Sequence, residues 1–133
     1  MLRPASTLLA CALLAAAGCG GGNDREEIES TLREFATALN ERDGDKFCEE
    51  LVTEKFLEEQ TFAKGERAHT ACKRELTRIR GLNVKIVRIS SLTIKEDRAR
   101  VKAVLSQNGQ EQDQIYSMRN EDGRWRIASG TGG

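Results

Sequence analysis

What most constrains this chain is a change of hydrophobic period at Gly81. A helix buries one face at a period of 3.6 residues and a half-buried strand at a period of 2, so a chain with the two in separate blocks is expected to pack helices on an antiparallel sheet. Asp24 is a suitable helix N-cap with Glu27 in the capping-box position, and Ile28, Leu32, Phe35, Ala36 and Leu39 follow on one face until residues 40–44 interrupt the pattern. Residues 45–52 read as a short helix burying Phe47, Cys48 and Leu51. Thr53 caps a third segment whose apolar side is Phe56, Leu57 and Phe62, and residues 66–79 align Ala68, Cys72, Leu76 and Ile79.

Beyond Gly81, residues 84–94 are rich in β-branched side chains, and Ala99, Val101, Ala103 and Leu105 alternate with Arg98, Arg100, Lys102 and Val104. Further strands are expected at 112–119 and 124–128. Glu96-Asp97, Asn108-Gly109 and Asp122-Gly123 have the composition of tight turns. The expected architecture is α+β: N-terminal helices on a curved antiparallel meander of four or more strands, followed by a disordered tail at 130–133.

The amino terminus specifies a compartment rather than a fold. Arg3 precedes an uncharged run over residues 5–17, too short for a bilayer that needs about 20 residues. The run ends in Ala16-Ala17-Gly18-Cys19, which resembles the lipobox of bacterial lipoproteins, with Ala16 where that family usually has Leu. The resemblance implies a signal peptide over 1–18, a palmitate-bearing Cys19 with a glycine-rich tether over 19–23, and a single domain over 24–129. It further implies export and lipid anchoring on the outer face of the bacterial cell membrane, or at the outer membrane of a two-membrane cell. Processing would leave 21 acidic and 20 basic side chains, a balance that gives no reason to expect a nucleic-acid partner.

Within the domain, Ala38-Leu39-Asn40-Glu41-Arg42-Asp43-Gly44, then Cys48-Glu49-Glu50-Leu51-Val52-Thr53, and a closing Asp122-Gly123-Arg124-Trp125-Arg126-Ile127 resemble the nuclear transport factor 2-like superfamily, in particular its small lipoproteins of unassigned function. That resemblance implies a cone of helices wrapped by a bent sheet with a pocket between them. It implies no single activity, since one scaffold carries isomerases, dehydratases and non-catalytic binding domains.

Cys11 leaves with the signal and Cys19 is acylated, so Cys48 and Cys72 remain as an even pair in an oxidising compartment and are expected to form a disulfide. His69 is the sole histidine, on a helix with no carboxylate beside it in sequence, and reads as a surface residue. Tyr116 and Trp125 are candidate pocket residues, with His69 as their conceivable partner. Arg100, Lys102, Arg124 and Arg126 would share an outward basic face if Val101, Trp125 and Ile127 point in. No catalytic set, metal site or cofactor motif is expected. The first expectation is thus a non-catalytic envelope lipoprotein binding a small ligand or a partner protein, a second copy of itself among the candidates. The rival expectations are a small-molecule isomerase or dehydratase, and an electrostatic adaptor for anionic envelope polymers.

Overall fold

The computed structural model describes residues 21–132; the expected signal segment and Cys19 lie outside the described residues. Helices α1 (Gly21–Glu41), α2 (Gly44–Lys46), α3 (Glu54–Thr61) and α4 (Glu66–Arg78) precede strands β1 (Val84–Lys95), β2 (Arg98–Gln107), β3 (Gln110–Glu121) and β4 (Arg124–Gly132). The strands pair antiparallel in the order β1-β2-β3-β4. Two of the turns set this meander's register. Asn108, Gly109, Asp122 and Gly123 all have positive φ, the backbone a two-residue hairpin requires and Asn-Gly or Asp-Gly readily adopts. Gln107 therefore pairs with Gln110, and Glu121 with Arg124.

Alternation along β2 sends Ala99, Val101, Ala103 and Leu105 into the core, where Met118, Trp125 and Ile127 join them. These side chains close on Ile28, Leu32 and Ala36 of α1 and on Leu57, Ala68 and Leu76. Both ends of α1 are fastened to the sheet. Trp125 donates from Nε1 to Asp24 Oδ1 at 3.0 Å and from its backbone N–H to Glu27 Oε1 at 3.2 Å. At the other end Asn40 donates to the Val84 carbonyl and accepts from the Val84 N–H, both at 2.7 Å. A Cys48–Cys72 disulfide, Cα–Cα 6.1 Å, ties the segment after α2 to α4.

Several expectations are corrected. Helix α1 starts at Gly21, so residues 21–23 of the expected tether are helical. Asp24 and Glu27 do not form a capping box because their carboxylates accept from Trp125 instead. The expected helix at 45–52 widens after Lys46 into a π-helical turn, Phe47–Leu51, and Arg126 Nη1 donates to the Glu49 carbonyl at 2.8 Å. Phe62 is 95% exposed, since it ends α3 in the left-handed conformation, φ 56°, and turns away from the core. The tail is strand as far as Gly132: β3 is long enough to offer it partners, and Gly130 pairs with Tyr116 and Gly132 with Gln114.

Candidate functional site

A cavity of about 340 Å³ opens between the helices and the sheet. From α1 come Phe35 and Leu39, the two positions of its apolar face that the core leaves partly exposed. Phe56 and Gln60 come from α3, Gln107 from β2, and Gln112, Gln114 and Tyr116 from alternate positions of β3. Gly130 forms part of the wall: a Cβ placed there would come within 3.2 Å of the Tyr116 ring. Tyr116 stands edge-on to Phe35, centroids 6.0 Å apart. Burial pushes its phenol above the ordinary range, so the hydroxyl stays neutral and able to donate.

The lining contains no carboxylate, imidazole, lysine or arginine. Four glutamine amides and a phenol can each donate and accept hydrogen bonds, while a charged guest would find no counter-ion in the lining. The chemistry on offer is recognition of a neutral, partly apolar molecule carrying carbonyl or hydroxyl groups.

The three pocket candidates from the sequence are not brought together. Tyr116 lines the cavity; Trp125 is buried in the core, held by Asp24 and Glu27; His69 belongs to a separate polar cluster. There Nε2 lies 2.6 Å from Glu54 Oε2, and Nδ1 lies 3.0 Å from Glu49 Oε2 but off the angle of a hydrogen bond. Lys73 Nζ reaches Glu49 Oε1 at 2.9 Å and Asp45 Oδ1 at 3.1 Å. Burial opposes charge on the His69 ring, but its hydrogen bond to Glu54 and the charges of Glu49 and Glu54 outweigh it, so its pKa is raised. The hydrogen bond from Lys73 holds the Glu49 carboxyl below the usual range. His69 is therefore not the unaccompanied surface histidine expected: its carboxylates lie 15 and 20 positions upstream and arrive through the packing of α4 on the preceding segments. Among the described residues no group of three or more His, Cys, Asp or Glu is arranged to hold a metal ion.

A larger concavity, about 540 Å³, runs along the outer side of α1 between residues such as Glu26, Glu29, Arg33 and Lys46. It is an open trough, and its charges are partly satisfied: Lys46 Nζ sits 3.1 Å from Glu34 Oε2 and 3.1 Å from Glu50 Oε2. The smaller cavity is the better candidate, because its walls come from both layers of the fold and combine apolar surface with convergent polar groups.

On the opposite face of the sheet Arg100 and Lys102 are exposed, as is Arg124, which lies 3.9 Å from Glu50; Arg126 is half-buried. The amide-lined wall was missed in the sequence, although the signal was present. Asn108-Gly109 fixes Gln107 opposite Gln110, and counting back along the hairpin pairs Val101 with Tyr116 and Leu105 with Gln112, which puts Gln112, Gln114 and Tyr116 on the face of the buried residues.

No protein-family model matches the chain, and no curated protein matches it. Solved structures do resemble it. One is a protein of unknown function from Mycobacterium tuberculosis: 15% identity, TM-score 0.61, covering 87% of this chain and 77% of that one. Another, from Novosphingobium aromaticivorans, is provisionally named a scytalone dehydratase: 18% identity, TM-score 0.53, covering 82% of this chain and 87% of that one. A third is an Rd1NTF2 variant: 16% identity, TM-score 0.50, covering 84% of this chain and 98% of that one. The fold is thus nuclear transport factor 2-like, with helices packed on an open antiparallel sheet.

Proposed function

We propose that this chain is a non-catalytic lipoprotein domain, anchored through Cys19 outside the bacterial membrane, that binds a neutral small molecule or a neutral segment of a partner protein in the cavity walled by Gln60, Gln112, Gln114 and Tyr116. The observation that carries the proposal is the lining itself: hydrogen-bonding amides and apolar rings, without an ionisable acid or base. General acid–base catalysis needs a proton carrier within hydrogen-bond reach of the substrate at a usable pKa, and Tyr116, shifted upward by burial, is a poor base. The likeness to a provisionally named scytalone dehydratase favours a dehydratase, but His69 and the carboxylates around it are not among the residues that line this cavity.

The test is ligand-detected NMR of the mature protein against matched sets of neutral amides and lactones, carboxylic acids, and amines sized to the cavity. Binding should concentrate in the neutral set and disappear in Gly130→Val, which crowds Tyr116. Binding confined to the charged sets, or conversion of a bound compound to product, would defeat the proposal.

A further inference from the structure

The outer face of the sheet carries a basic patch that strand pairing assembles from distant parts of the sequence. Lys95 pairs with Arg98, Arg98 with Arg119, and Arg119 with Arg126. Directly paired residues point to the same side, so four cations form a row across all four strands, spanning about 14 Å at a strand spacing of about 4.8 Å; Arg126, at the β4 end, turns its guanidinium to the carbonyls of Glu49 and Val52, and Lys95, Arg98 and Arg119 carry the exposed charge of the row. In the next row Arg100 pairs with Thr93 and Ser117, and Ser117 with Ser129; in the one after, Lys102 pairs with Ser91 and Ile115, and Ile115 with Thr131. These three rows hold six cations, five hydroxyls and no acid. Among the described residues none of Lys95, Arg98, Arg100, Lys102 and Arg119 makes an ion pair, and all five are exposed.

Like charges placed opposite one another across a sheet are destabilising. Charges that guard against edge-to-edge aggregation belong on edge strands, yet Arg98, Arg100, Lys102 and Arg119 lie on β2 and β3, which are paired on both sides. Position relative to the amino terminus supplies the occupant. Asp24 is held by Trp125, which neighbours Arg126 at the same end of the sheet as the four-cation row. Cys19 precedes Asp24 by five residues, and because α1 begins at Gly21 the reach is at most about 12 Å.

We infer that this face lies against the anionic headgroups of the membrane into which Cys19 is anchored, an inference that rests on the proposed lipid anchor. Glu96, Asp97, Glu121 and Asp122 stand at the turns at one end of the patch, and Asp113, paired with Val104, stands beyond the Lys102 row at the other, so the three basic rows rather than either end of the sheet meet the headgroups. The cavity, on the opposite face, is then turned outward to its ligand.

The experiment is lysine acetylation footprinting of the mature protein on vesicles of phosphatidylcholine, with or without phosphatidylglycerol. Lys95 and Lys102 should be protected at least about fivefold only on the anionic vesicles, and Lys64, on the connection between α3 and α4, should label equally on both. The protection should vanish near 0.5 M salt, where the screening length falls to about 4 Å. The double variant Arg98→Glu with Arg119→Glu, its fold checked by circular dichroism, should lose the protection. Equal labelling of a lipid-bearing protein on both vesicle types would overturn the inference while leaving the anchor intact. A mature protein without lipid at Cys19 that nevertheless shows protected Lys95 and Lys102 would remove the anchor and leave the face. Protection by soluble polyglycerol phosphate but not by vesicles, or protection that rises with protein concentration alone, would overturn it in favour of a polymer or a second copy.

Discussion

At the scale of the residue, His69 shows how a side chain that is unremarkable in sequence acquires a role through packing. Its ring joins α4 to Glu49 and Glu54, with Lys73 against the same carboxylate of Glu49 and Asp45 behind it. Because its folded pKa is raised, the stabilisation from the charged ring is fully present below the ordinary imidazole value of about 6.5 and is lost as pH rises through the raised folded value. His69→Gln should therefore lower the urea midpoint relative to the parent at about pH 5.5, and the gap should narrow at about pH 9. A gap independent of pH would mean that the ring acts by packing alone. Cys19 belongs to this scale as well: the mature protein extracted from membranes should carry a lipid-modified Cys19 at its amino terminus, and Cys19→Ser should accumulate as unprocessed precursor. An unmodified mature terminus at another residue would dismiss the anchor.

At the scale of the element, the folded chain depends on fastenings between helices and sheet. The Cys48–Cys72 bridge spans a sequence separation of 24, and by loop entropy it contributes about 3.5 kcal/mol; Cys48→Ala with Cys72→Ala should lose a comparable amount in denaturant titration. Asn40 makes two hydrogen bonds to Val84, each worth about 1 kcal/mol net, so Asn40→Ala should cost about 2 kcal/mol. A loss under 0.5 kcal/mol would show that the α1–β1 joint is held by apolar packing. Much of this level was legible: the period of 3.6 in Ile28, Leu32 and Ala36, the alternation from Ala99 to Leu105, and the three turns together account for the element order and the meander. What was not legible depended on tertiary partners. Asp24 and Glu27 look like a local cap until Trp125 claims them, and residues 130–132 look like a disordered tail until β3 supplies an edge. Phe62 looks buried by its spacing, but the left-handed end of α3 turns it outward.

At the scale of the whole molecule, the two faces of one sheet present opposite chemistries. The side that faces α1 and α3 carries neutral amides and rings, while the other side carries six cations in three rows, five of them exposed. The basic face was legible in part, through Arg100 and Lys102; Lys95, Arg98 and Arg119 join it only once the hairpin registers are counted. The cavity was not legible, because its glutamines carry no motif and acquire significance only by convergence. If it is a neutral binding site, Tyr116→Phe should weaken the strongest neutral ligand about tenfold, the loss of one buried hydrogen bond, with little change in melting temperature. The most direct measurement is protein-observed NMR of the glutamine side-chain amides during titration with that ligand. Shifts localised to Gln60, Gln112 and Gln114, with the ligand chemically unchanged after prolonged incubation, are the predicted result; shifts confined to the outer trough of α1, or a ligand converted to product, would contradict it.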